Sequence, residues 1–319
     1  MARVGLAVGG AALVLIGGAA LFWWPKSSVQ ERTTALDRID RVDLAGGSGE
    51  VEVRHEPGGR GEIVQRVHRW EGLFWGSSDT TDEIEHRVEG GALVLPTDCG
   101  WNCSVDYQVT LPTSVPVDGD LGSGGLTVTG MRSVQAETDS GEVTIGDIGG
   151  PVGVRTGSGG VSVTRVNGPV DAETGSGEIT LAEIGGEVTM STGSGGVSAT
   201  RVAGSVDAIT GSGEITLAGI DGRVAVESGS GGIIGEDLRG ANIVAKADSG
   251  SVELRLIGPQ SAEVSTGSGG IELTVPNDRY RVATESGSGG IEVGVVQDPA
   301  AQKHLTLSTG SGGITIRQA

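Results

Sequence analysis

Aromatic side chains are nearly missing from this chain. Nine occur among 319 residues, and after Tyr107 only Tyr280 remains. A stretch that long with one ring suits a thin interior of Val, Ile, Leu and Ala rather than a thick globular core. Basic residues are few as well, 22 Lys and Arg against 41 Asp and Glu, for a net charge of −19. Ahead of Glu31 stand Arg3 and Lys26 and no acid, so the remainder carries 20 against 41, or −21. That balance excludes nucleic acid as a partner, since phosphate backbones need clustered Lys and Arg. It leaves a solvated anionic surface, or a site for cations or cationic peptides.

Cysteine and histidine are equally sparse. Cys99 and Cys103 are the two cysteines, and His55, His68, His86 and His304 are scattered. A structural zinc site needs four ligands, so no metal or cofactor site is expected, although His68 and His86 could meet across strands. Outside the membrane the close pair Cys99 and Cys103 is expected to form a disulfide, worth roughly 2 kcal/mol by loop closure. The other reading, a reactive redox pair, usually has two intervening residues rather than three. Proline numbers 10 and no Gly-X-Y period occurs, which excludes collagen. Hydrophobic residues at 36% and a mean hydropathy near zero exclude a polar disordered tail. No nucleophile elbow is present, and short turns leave no long loops to wall a cleft of carboxylates. The reading is non-enzymatic.

Charge is absent from the whole stretch Val4 to Trp24. At 1.5 Å per residue that is about 30 Å, the thickness of a bilayer's hydrocarbon core. Phe22, Trp23 and Trp24 suit the interface, and Pro25 and Lys26 end the span. The segment is expected to be an uncleaved signal anchor, with residues 28–319 outside the plasma membrane. The competing reading is a cleaved signal peptide, with Val4–Ile16 as its apolar part and Gly18 and Ala20 as its small-x-small site.

Glycine is what the chain has in excess, 59 residues. Ser-Gly pairs recur at Ser123, Ser140, Ser158, Ser176, Ser194, Ser212, Ser230, Ser249, Ser268, Ser288 and Ser311, a nearly constant interval. Residues 162–186 and 198–222 agree at 19 of 25 positions, a mark of internal duplication. Within a unit Val161 and Val163 share one face and Val170 and Ala172 another, with Ser162, Asp171 and Glu173 pointing away. This period-two alternation predicts short half-buried strands between turns. No unit can bury its apolar face alone, so stacking is required. The fold class is therefore all-β: a parallel β-solenoid of about 18-residue coils over residues 119–319. Val161, Val163, Val170, Ala172, Ile179 and Leu181 line its interior.

The residue two past serine alternates between Glu and Gly: Glu142, Gly160, Glu178, Gly196, Glu214, Gly232. With one repeat per coil each Glu faces Gly in adjacent coils, which separates like charges. A coil of two repeats would stack the carboxylates and demand a cation. The Gly-Ser-Gly corner is read as a tight bend using positive φ, with the serine hydroxyl bonding its own turn. A phosphate loop is excluded because no Gly-Lys-Ser/Thr follows. A calcium β-roll lacks its Asp.

Residues 28–118 form a β-rich part and cap ahead of the repeat, and residues 1–27 hold the anchor. Strand runs are expected at Ile39–Leu44, Glu50–Arg54, Glu62–Arg69, Glu83–Val88, Ala92–Leu95 and Ser104–Leu111. The ring cluster Trp70, Phe74 and Trp75, joined by Trp101, is expected either to cap the open end of the solenoid or to form a contact patch. At the other end, Ile314–Arg317 reads as an uncovered last strand that allows end-to-end association.

The stretches Thr174-Gly175-Ser176-Gly177-Glu178-Ile179-Thr180 and Gly267-Ser268-Gly269-Gly270-Ile271-Glu272-Leu273-Thr274-Val275-Pro276 resemble the bacterial putative-adhesin family. That family is a domain of unknown function related to head-domain adhesins of auto-transporter type. Cys103-Ser104-Val105-Asp106-Tyr107-Gln108-Val109-Thr110-Leu111-Pro112 resembles the segment before the repeats in its actinobacterial members. The resemblance implies a β-strand solenoid at the cell surface, in some members linked to envelope stress, and supplies no catalytic residues. Many copies here read Gly-Ser-Gly-Gly rather than the more acidic form. The expected role is a membrane-anchored, adhesin-like surface binding or scaffold protein, with an unknown protein, peptide or cell-wall ligand. The alternative is an envelope-stress sensor of a cationic peptide or wall fragment.

Overall fold

The structure is a computed structural model that describes residues 27–70, 86–100 and 103–319. The expected anchor Val4–Trp24 lies outside the described residues, and among the described residues no helix is long and apolar enough to cross a membrane. All regular structure described is β-strand, arranged in two sheets of 15 strands each.

The unit of construction is a rung of two strands, one in each sheet. Val161–Val166 pairs in parallel with Val143–Ile148 on one side and Ile179–Ile184 on the other. Val170–Thr174 pairs in parallel with Val152–Thr156 and Val188–Thr192 in the opposite sheet. The register Val143, Val161, Ile179, Val197, Ile215 advances by one sequence repeat per rung, as expected. Val161, Val163, Val170, Ala172, Ile179 and Leu181 are all buried in the strip between the sheets. The Glu/Gly alternation also holds: the Val161 amide bonds the Glu178 carbonyl, and the Ile179 amide bonds the Gly196 carbonyl.

The sheets run through residue 118 without a break, because Arg41–Gly47 and Val51–His55 are rungs of the same stack. Leaving two edge strands off each sheet, the described residues form thirteen rungs (15 − 2). That makes a rod of about 58 Å at the usual strand spacing of about 4.8 Å. The sequence reading missed one long element, strand Ser27–Leu36. Its alternation is weak, and nothing but its partner Gly61–Trp70 marks it as a strand.

The two ends differ. At the near end Gly61–Trp70 runs antiparallel to Cys103–Leu111, and Ser27–Leu36 runs antiparallel to it in turn. Arg87–Glu89 lies antiparallel on Ala92–Thr97 in the other sheet. The first rung is closed under this cover: Leu93, Leu95, Val105, Tyr107 and Val109 are all buried. At the far end the strand expected at the open edge is internal. Ile314–Gln318 lies between Ile271–Val275 and Ile291–Val293. The outermost rung is Arg279–Ser286 with Ile291–Val293, and Ile291, in the same column as the fully buried Ile314, is 44% exposed.

Each terminal rung holds one of the chain's two tyrosines, both buried. The Tyr107 hydroxyl donates to the Pro96 carbonyl at 2.8 Å, and the Tyr280 hydroxyl to the Pro276 carbonyl at 3.1 Å. Each buried phenol thus keeps a hydrogen-bond partner, as a buried tyrosine needs. Burial pushes the Tyr280 phenol up to about 12, and Tyr107 rises for the same reason. Since the fold favours the neutral phenol, its contribution is whole below the ordinary range near 10 and lost as pH rises through the folded value. Thermal melts should therefore fall steeply from about pH 10 upward. Tyr280→Phe, weaker at neutral pH for want of the hydroxyl bond, should show a shallower alkaline loss. Equal slopes in the two proteins would refute this.

Candidate interaction surface

The corners explain the glycine content by two routes: Gly49, Gly141, Gly289 and Gly312, each after a corner serine, take the expected positive φ, at 143 to 154°, and the other corners use glycine differently. In the five corners from Gly157 to Gly232 no glycine has φ in the left-handed region. Close approach is the constraint: a Cβ on Gly159, Gly177, Gly195, Gly213 or Gly231 would fall 1.6 to 1.9 Å from a carbonyl oxygen of the corner beneath. The left-handed residues of these rungs sit at the opposite corner, and all but one of them carry a side chain. Asp147, Arg165, Glu183, Arg201 and Asp237 have φ of 52 to 61°, with Gly219 at 67° in the same column. Their side chains project outward as a ladder of alternating charge. Arg165 donates to both oxygens of Asp147 at 2.6 and 2.8 Å, and Arg201 to Glu183 at 2.6 Å. The Arg165 guanidinium holds the Asp147 carboxyl below its usual range. These pairs are about half exposed, so each adds little to stability.

The corner hydroxyl that bonds backbone stands two residues before the expected serine, at Thr156, Thr174, Thr192, Thr210 and Ser228. Ser158, Ser176, Ser194 and Ser212 stand exposed, whereas Thr156, Thr174, Thr192 and Thr210 are buried. Each of these threonines accepts a hydrogen bond from the amide three residues on, as Gly195 N to Thr192 Oγ1 at 3.1 Å. The Thr174, Thr192 and Thr210 hydroxyls then donate to the corner beneath, as Thr192 Oγ1 to the Gly177 carbonyl at 3.0 Å. Thr192→Val keeps the shape and removes both bonds, leaving the half-buried Gly195 amide unpaired. The expected cost is about 1–3 kcal/mol by urea denaturation, against near zero for Ser194→Ala.

The two broad faces differ in charge. On one sheet the outward columns read Thr144, Ser162, Thr180, Ser198, Thr216 and Gly146, Thr164, Ala182, Thr200, Ala218. These two columns are uncharged, hydroxyl and methyl, across five rungs, and are edged by the exposed Glu142, Glu178 and Glu214, with Thr180 and Thr216 donating to Glu178 and Glu214. The other sheet carries Glu137, Arg155 and Glu173 in one column, with Arg155 bonding both acids, and Asp171 and Asp207 in the next. Beside it runs a shallow groove floored by Gly157, Gly175 and Gly193 and rimmed by Asp120 and Asp139.

Of the residues singled out from sequence, Cys99 and Cys103 are joined by a disulfide at the start of the strand Cys103–Leu111. Trp70 ends the strand Gly61–Trp70, its backbone paired with Ser27. Phe74, Trp75 and Trp101 lie outside the described residues. His68 Nε2 is 2.9 Å from Asp106. Among the described residues no three His, Cys, Asp or Glu side chains converge as a metal site would require.

Three solved structures are similar over most of their length. A putative cell adhesion protein from Clostridium sporogenes is 10% identical, covering 93% of this chain and 100% of its own, with a TM-score of 0.20. A putative adhesin from Bacteroides fragilis is 13% identical, covering 92% and 99%, with a TM-score of 0.30. A putative adhesin from Parabacteroides distasonis is 11% identical, covering 92% and 97%, with a TM-score of 0.30. No curated protein matches the sequence. Membership rests on the family model, which spans residues 112–317, the Gly-Ser-Gly rungs with their Thr ladder: the chain belongs to the Toastrack DUF4097 family.

Proposed function

We propose that the chain is a non-enzymatic, adhesin-like surface protein, anchored in the plasma membrane by Val4–Trp24 with residues 28–319 outside. One observation carries the binding role: stacking in register repeats the same uncharged hydroxyl pattern on five successive rungs. A rigid array of near-identical weak contacts favours an extended, repetitive ligand, because each further contact forms at high effective concentration. The disulfide between Cys99 and Cys103 supports an oxidising location.

The binding role is tested with the variant Ser162→Lys, Thr180→Lys, Ser198→Lys, which changes one outward column and no buried residue. Cells carrying it should attach no better than cells lacking the protein, while the purified protein keeps its melting temperature within a few degrees. Undiminished attachment would remove this face from the binding role. The topology is tested by adding protease to intact spheroplasts. Digestion of the domain is expected, full protection would reverse the orientation, and a mature N-terminus at Leu21 would replace the anchor with a cleaved signal.

A further inference from the structure

Rung order at the far end separates neighbours in sequence. Ser261–Ser268 pairs with His304–Ser311, not with Arg279–Ser286, which follows it along the chain. Ile271–Val275 likewise pairs with Ile314–Gln318. The outer rung joins the rod's ladders only through residues 304–318, since Arg279–Ser286 otherwise pairs just with Val296–Gln297. Until residues 304–318 arrive, rung 261–275 therefore keeps an open edge and the outer rung has no ladder to join. The contact Ala262 to Leu305 spans 43 residues (305 − 262), more than twice the separation of Val161 and Ile179 on successive internal rungs.

The slot is specific for what fills it. Leu305, Leu307, Ile314 and Ile316 are fully buried between the flanking rungs. Thr309 donates to the Gly269 carbonyl at 2.9 Å, and Arg317 pairs with Glu272 at 2.8 Å. The connection 298–303, by contrast, belongs to the outer rung. The Asp298 amide bonds the Tyr280 carbonyl, Arg281 Nε donates to the Pro299 carbonyl at 2.8 Å, and Lys303 pairs with Asp278. Segment and slot are thus two separable halves of one interface, and every copy of the chain carries both.

We propose that the chain self-associates by exchanging this rung, residues 304–318 of one copy filling the slot of a second and the reverse. Exchange reproduces each contact named above and reorganises only the residues near Lys303. An open rung edge of unpaired amides and carbonyls recruits a strand. So distant a closure, from Ala262 to Leu305, gives a neighbouring chain the chance to supply it first. This inference is independent of what the broad faces bind.

Ser268 and Ser311 supply the test. They are exposed register partners on adjacent parallel strands, about 4.8 Å apart, within reach of a disulfide. In the full-length chain held in detergent, the double variant Ser268→Cys, Ser311→Cys should close internally at low concentration, which verifies the register. The two single variants, unfolded and refolded together, should give a disulfide-linked heterodimer whose yield rises with protein concentration and exceeds that of either single variant alone. Internal closure of the double variant with no such heterodimer at any concentration would overturn the proposal. Association by sedimentation without the heterodimer would also overturn it, and would place the contact at the open outer rung.

Discussion

Gly195→Ala is expected to lower stability by more than about 3 kcal/mol, at the upper end for overpacking, while Gly196→Ala, one residue on, should be neutral or slightly stabilising. A methyl on Gly195 would fall 1.7 Å from the Gly177 carbonyl oxygen and 2.4 Å from its carbon. Neither atom can move aside, because both belong to Gly177, in the rung Val170–Thr174 and Ile179–Ile184, which is pinned above and below by its ladders. The rungs would have to part at that corner, breaking the Thr192 bonds to both glycines. At Gly196 the nearest atom is the Glu214 carbonyl oxygen at 3.6 Å, an ordinary contact, and Glu178 and Glu214 hold the same place in the neighbouring rungs. Alanine there also restricts the unfolded chain, worth about 0.4–1 kcal/mol in favour of the fold. Urea melts of the two variants settle the matter, and equal effects would mean that glycine serves flexibility rather than close approach.

Val170→Asp is expected to cost at least about 4 kcal/mol, whereas Asp171→Val should change stability by less than about 0.5 kcal/mol. Val170 is 2% exposed and stacked in register between Val152 and Val188. A carboxylate there has no cation and no donor, and protonating it to escape the charge still leaves a buried polar group. Asp171 points outward on the same strand, so the two substitutions differ only in the face they address. Each rung contacts chiefly its neighbours, so the loss should spread unevenly. Hydrogen exchange in the Val170→Asp variant should quicken first in the amides of residues 152–192, and uniform quickening along the rod would contradict the nearest-neighbour picture.

The strands of the repeat, the coil length and the interior column were legible in the order of residues. Period-two alternation assigns each side chain a face, and the spacing of the Ser-Gly pairs measures one turn of the rod. The reason is local: a rung's inward and outward residues follow from the pleat, and an in-register stack makes every rung obey the same rule. The corners were legible in composition but only partly in mechanism: Gly141 and Gly312 take the expected positive φ, whereas Gly159 to Gly231 answer to close approach. Glycine marks both a left-handed bend and a close backbone approach, and only distances tell them apart. The hydroxyl bonds went to Thr192 and its kin because they point inward at the bend, where an amide needs an acceptor.

The amino-acid sequence by itself determined that this is a thin parallel stack with one repeat per turn. It could not determine the order of the rungs at either end, because every rung presents the same inward pattern and so offers the same edge to any other. Tertiary structure chose. Residues 304–318 lie inside, where Leu305 and Leu307 are covered on both sides, and residues 279–293 lie outside, where Val282 and Thr284 take those places. The rung richer in large aliphatic residues gains most from two neighbours, and the one carrying threonine loses least from having a single neighbour.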